Sequence, residues 1–138
     1  MISILRSLPL KWVFAACLLI ACRAGNAQNS SIAEAHLGLD SISPSEVACT
    51  FIVKLSDTVG VSQVEISLGH SPGDTSLIHH VFDFDVTTGL PAGFAWQREG
   101  KRIELAAGTA QRHPTWFGRV RLKDYNETWT QPKIFVRN

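Results

Sequence analysis

Cysteine is scarce in this 138-residue chain, and the three present build no framework: Cys17 and Cys22 lie in the apolar N-terminal stretch, leaving Cys49 alone. A disulfide-stapled scaffold is excluded, so the fold must rest on its core. Charge of one sign is missing too, with thirteen Lys plus Arg against twelve Asp plus Glu. A near-neutral chain has no electrostatic footprint for nucleic acid, and none is expected as a partner. The apolar run Trp12 to Ala21 stops well short of the ~20 residues that span a bilayer. Also lacking are a G-x-S-x-G elbow, a metal-binding helix and a phosphate loop, and no helical period follows residue 27. Nothing calls for a cofactor, and no catalytic residue is assigned.

What the N-terminus does contain is a leader. Arg6 and Lys11 precede the apolar run, and Gly25-Asn26-Ala27-Gln28 follows it, so residues 1–27 read as a signal peptide cleaved after Ala27. A second reading stands beside it. Leu19-Ile20-Ala21-Cys22 resembles the lipobox of bacterial lipoproteins, in which Cys22 would carry the lipid anchor. Either way no transmembrane span remains after processing, and the product is secreted, periplasmic or held at the cell surface. Cleavage removes Arg6, Lys11 and Arg23, leaving ten cations against twelve anions, a net charge of −2. Residues 28–35 are small and polar and read as a flexible tether, which places the domain at 36–138.

Within that domain the dominant signal has period two. Val47, Cys49, Phe51, Val53 and Leu55 alternate with more polar neighbours, predicting a central strand over 47–56 with Cys49 as a small core residue. Val64, Ile66 and Leu68 repeat the pattern within a strand over 61–69; Ile78, His80, Phe82, Phe84 and Val86 do so over 77–86. His36 to Ser43 is expected as a first edge strand. Phe94 to Leu105 is expected as a hairpin turning at Glu99-Gly100, pairing Trp96 with Ile103 and Phe94 with Leu105. Residues 106–115 read as a loop. Trp116 to Lys123 then alternates again, and after the turn residues Asp124, Asn126 and Thr128 a closing strand follows Pro132, which suits an edge. Seven or eight short strands at this spacing predict an all-β, two-layer antiparallel β-sandwich.

The run GLPAGFAWQREGKRIEL, then FGRVRLKD, then ETWTQPKIF resembles the immunoglobulin-like or fibronectin type III-like domains of secreted and surface proteins of Bacteroidetes. The paired cysteines of antibody domains are absent. What the resemblance implies is a spacer or binding module for protein contact, adhesion or scaffolding, with a carbohydrate-binding module as the alternative; it carries over no catalytic residue. The sequons at Asn29 and Asn126 match the glycosylation pattern, which a bacterial protein would normally leave unused.

Four residues form the candidate contact surface: Trp116, Phe117, Arg119 and Arg121. The two rings are adjacent and must point to opposite sides, and Phe117 shares its phase with the arginines, so Phe117 is expected outward. Its partner would be an unidentified protein or glycan at the cell surface. The bland account of Arg119, Arg121 and Lys123 is cross-strand pairing with Glu65 or Glu104. Trp96 and Trp129 are assigned to the core and to a sandwich corner. His79, Asp83 and Asp85 share one strand face, but same-side positions ~7 Å apart are too far apart for all three to bind one zinc ion.

Overall fold

Val47, Cys49, Phe51, Val53 and Leu55 are all buried while the residues between them are not, so the strand expected from their alternation forms where the alternation lies. A computed structural model of the chain describes residues 32–58 and 60–138. The leader, Cys22 and tether residues 28–31 lie outside these.

Among the described residues eight strands follow in order: β1 (Ile32–Ser41), β2 (Glu46–Leu55), β3 (Gln63–Gly69), β4 (Ile78–Asp83), β5 (Phe94–Glu99), β6 (Arg102–Gln111), β7 (Trp116–Lys123) and β8 (Lys133–Arg137). They form two four-stranded sheets, β1-β2-β6-β5 and β4-β3-β7-β8, with every pairing antiparallel. Consecutive strands make four hairpins, and hairpins one and three share a sheet, as do two and four. The fold is therefore an all-β sandwich of two antiparallel layers, with β2 central.

Between the layers Phe51, Ile66, Phe82 and Val120 are fully buried in one cluster with Leu105, Ile103 and Leu122. Each such side chain contributes on the order of 1.5–3 kcal/mol by leaving water. One flank is closed by aromatics: Phe84 stacks on Trp96 at 4.2 Å, and His80 lies 4.8 Å from Phe94. The other flank brings β1 to β8, where Phe135 meets Phe51 edge-on at 5.9 Å and the Arg137 guanidinium donates to the Leu37 carbonyl at 2.8 Å. Chain entry and exit lie at opposite ends. Ile32 pairs with Leu55 beside the β5–β6 turn, whereas Arg137 pairs with Trp116 at the end where Arg112 reaches Ser43.

Several segments differ from expectation. β1 begins at Ile32, inside the stretch read as tether; residues 32–35 gain their order from the ladder to β2 rather than from any pattern of their own. Residues 106–111 are strand, not loop. Ala106, Ala107 and Gly108 have weak β preference, but β2 offers an open ladder, and a bulge absorbs the mismatch opposite Cys49. Gly108 sits there at φ 77°, the left-handed geometry a bulge glycine supplies. The β5–β6 turn is Gly100-Lys101, pairing Trp96 with Leu105 and Phe94 with Ala107. Gly100 has φ 60°, so it takes the first central position of the turn, where positive φ is needed. The slip is of two residues, which leaves every side chain on its expected face. β4 stops at Asp83, whose carboxylate accepts from the Asp85 amide at 3.0 Å, and Val86 is exposed beyond it. Among the described residues no helix is long and apolar enough to cross a membrane.

Candidate contact face

The outer face of the β4-β3-β7-β8 sheet carries three of the four residues singled out above, Phe117, Arg119 and Arg121. Along β7, Trp116, Gly118, Val120 and Leu122 turn inward and are buried, while Phe117, Arg119, Arg121 and Lys123 turn outward. Trp116 is 2% exposed, so it is a core residue and offers no contact surface. Phe117 is half-buried and in phase with the arginines, as its position predicts.

β8 adds residues that sequence reading passed over. Its short alternation sends Phe135 inward and Ile134 and Val136 outward, opposite Arg119 and Phe117. Ile134 is 65% exposed and Val136 54%. The signal was readable: in IFVR, one apolar residue in the core leaves its neighbours facing water.

A cleft of about 170 Å³ lies on this face, lined by Pro72, Phe117, Arg119, Pro132 and Ile134 among others. The loop after β3 forms its wall. It folds back because Gly69 has no side chain: a β-carbon there would sit 2.1 Å from the Asp74 carbonyl oxygen. The Asp74 carboxylate then ties the loop, accepting from the His70 amide, the Ser76 amide and the Ser76 hydroxyl, each at 3.0 Å. Those bonds, the His70 amide first, hold its carboxyl below the usual range.

The cations of β7 are not equivalent. Arg121 pairs with Glu65 and stands 4.2 Å over the Trp129 ring; Lys123 pairs with Glu127 and lies 5.8 Å from the same ring. Trp129 thus covers the outer face instead of filling a sandwich corner, because the β7–β8 connection doubles back beside the end of β7: Trp129 pairs with Lys123, and the Thr130 amide donates to the Leu122 carbonyl at 2.8 Å. Glu65 also meets His79 at 2.9 Å. Burial pushes the Glu65 carboxyl up, but the hydrogen bonds and charge of His79 and Arg121 win and hold it below its ordinary value. Glu104 belongs to the other sheet and pairs with Arg102. Arg119 is different: exposed, with its guanidinium in no ion pair or hydrogen bond among the described residues.

The remaining candidates are accounted for within the protein. The Asp83 carboxylate accepts from the Gln63 side-chain Nε2 at 3.2 Å. Among the described residues no three His, Cys, Asp or Glu side chains converge on one point. Trp96 is half-buried, stacked on Phe84. Asn126 lies exposed in the β7–β8 turn next to Glu127 at φ 64°. Cys49 is buried, and burial pushes its thiol up to about 11. His80 lies between Phe82 and Phe94 with a buried Nε2 that has no hydrogen-bond partner among the described residues, and burial together with the neighbouring His79 lowers its pKa. No family model, curated protein or solved structure matches this chain.

Proposed function

We propose that the chain is an exported, non-enzymatic sandwich module of the immunoglobulin-like or fibronectin type III-like kind, which binds a protein at the cell surface through the outer face of its second sheet. Strand order supports the architectural half. Lettered along the chain as A, B, C, C′, D, E, F and G, the sheets are A-B-E-D and C′-C-F-G, the immunoglobulin arrangement with one added strand. The observation that carries the functional half is the company Phe117 keeps. Exposed Ile134 and Val136 flank it beside Arg119, which has no ion partner among the described residues, a mixture of aromatic, aliphatic and arginine side chains suited to a protein interface.

A photo-crosslinking residue at position 117, in cells making the full chain, tests this. The expected result is a discrete adduct with one exported protein, lost in Ile134→Lys and absent when the probe replaces the exposed Gln97 on the opposite sheet. Adducts that are the same from both positions would remove the reading.

The carbohydrate alternative has less support, since Trp116 is buried and Arg121 covers a face of Trp129. A glycan array decides it: saturable binding lost in Phe117→Ala, with the fold intact, would replace a protein partner by a sugar. For the leader, mass spectrometry of the exported chain distinguishes an N-terminal Gln28 from a lipidated Cys22.

A further inference from the structure

The cleft over Phe117 has a size, a lining and a charge, and together they specify an occupant. At about 170 Å³ it is smaller than the ~300–1,000 Å³ of small-molecule sites and suits one side chain rather than a whole ligand. Pro72, Phe117, Pro132 and Ile134 make it largely apolar. A sugar ring, with a hydroxyl on nearly every carbon, would surrender hydrogen bonds to water that such walls do not return. An aliphatic or aromatic side chain would not.

Arg119 lies at the same cleft with its charge uncompensated among the described residues, while Arg121 and Lys123 on the same strand face are each paired with a glutamate. Asp74 also lines the cleft, but its carboxylate is spent on His70 and Ser76. An incoming anion must therefore approach from the Arg119 side. The apolar strip continues past the cleft along Ile134 and Val136, which gives a chain that enters the cleft somewhere to lie.

We infer that this cleft receives a large apolar side chain of an extended protein segment, whose neighbouring carboxylate pairs with Arg119. This rests on the reading of the face as a protein-contact surface and names the chemistry of its partner.

A random linear heptapeptide library displayed on phage, selected on the intact domain and counter-selected on Ile134→Lys, is the test. Selected sequences should carry Asp, Glu or a free C-terminus within two residues of a large apolar residue. With one such peptide made as a fluorescent probe, Arg119→Gln should weaken binding about tenfold, as loss of one charge-assisted hydrogen bond does. Arg121→Gln should change it less than about threefold, in the range of a surface ion pair. Replacing the acidic residue of the peptide by its amide should cost the same factor as Arg119→Gln, and the two changes combined should cost no more than either. Circular dichroism checks that each variant is folded. The inference fails if selection yields nothing over the Ile134→Lys domain, if the selected peptides lack an acid, or if Arg121→Gln matters as much as Arg119→Gln. Crosslinking from position 117 that still yields its adduct in that case would leave the contact face standing and remove only the acidic-segment partner.

Discussion

The ring of Phe135 occupies the space where Gly118 would carry a side chain: a β-carbon there would come within 2.2 Å of the ring's far carbon. Both residues face inward from paired strands. Gly118→Ala must therefore displace the ring and disturb its edge-on packing with Phe51 at 5.9 Å, and overpacking of this kind costs about 1–3 kcal/mol. The urea midpoint should fall by a matching amount, and Phe135→Leu in the same chain should recover part of it. An unchanged midpoint in Gly118→Ala would contradict the packing described.

Cys49 should be chemically silent in the native protein. It is 1% exposed and its thiol is pushed up to about 11 by burial, so neither access nor the thiolate needed for reaction is present at pH 8. A thiol reagent counted by absorbance should find no Cys49 sulfur until denaturant is added, then one equivalent. Cys49→Ser should cost about 1–3 kcal/mol, the penalty of a buried hydroxyl without a partner.

His80 gives stability a pH dependence of known sign. Burial, helped by the positive charge of a protonated His79, sets its folded pKa below the ordinary value, so near and below about 6.5 the unfolded chain binds more protons there. Stability rises with pH wherever that holds. The contribution is complete above that value and is lost as pH falls through it toward the folded pKa. Urea midpoints between pH 7.5 and 5 should decline in the wild type and decline less in His80→Leu; equal slopes would remove His80 as the cause.

Glu65 acts in a lower window. Its carboxyl is held down in the folded state, so its contribution is present above the unfolded value near 4.5 and lost as pH falls through the folded one. At pH 7, Glu65→Gln removes the charge facing Arg121 and His79. Glu65 is 17% exposed and Arg121 31%, between a surface pair and a buried one, so the loss should be about 1–2 kcal/mol. Thermal melts from pH 7 to 3 should show a flatter acid limb in the variant than in the wild type.

How far the chain announces this structure depends on how local each cause is. Alternation places β2, β3 and β7 almost to the residue and puts Phe117 on the outside, because one buried face forces period two. The far half of β6 was not readable, since Ala106 to Ala110 become strand through what β2 provides. The β5–β6 register escaped for a related reason: a slip of two preserves every face, and only the backbone geometry of Gly100 chooses between the alternatives. On the contact face, Arg119 and Arg121 look alike in sequence. What separates them is Glu65 on a neighbouring strand and Trp129, which the turn after β7 folds back over Arg121, and the cleft exists only because the loop at Asp74 folds over Gly69.

A tensile load offers another way to view the entry of the chain beside Leu55 and its exit beside Trp116. Pulling β1 and β8 from those opposite poles draws each strand lengthwise past its neighbour. Antiparallel ladder bonds run across the strands, so the rungs would resist sliding together instead of parting one after another, and the ten-residue β1 would be the harder of the two to draw out.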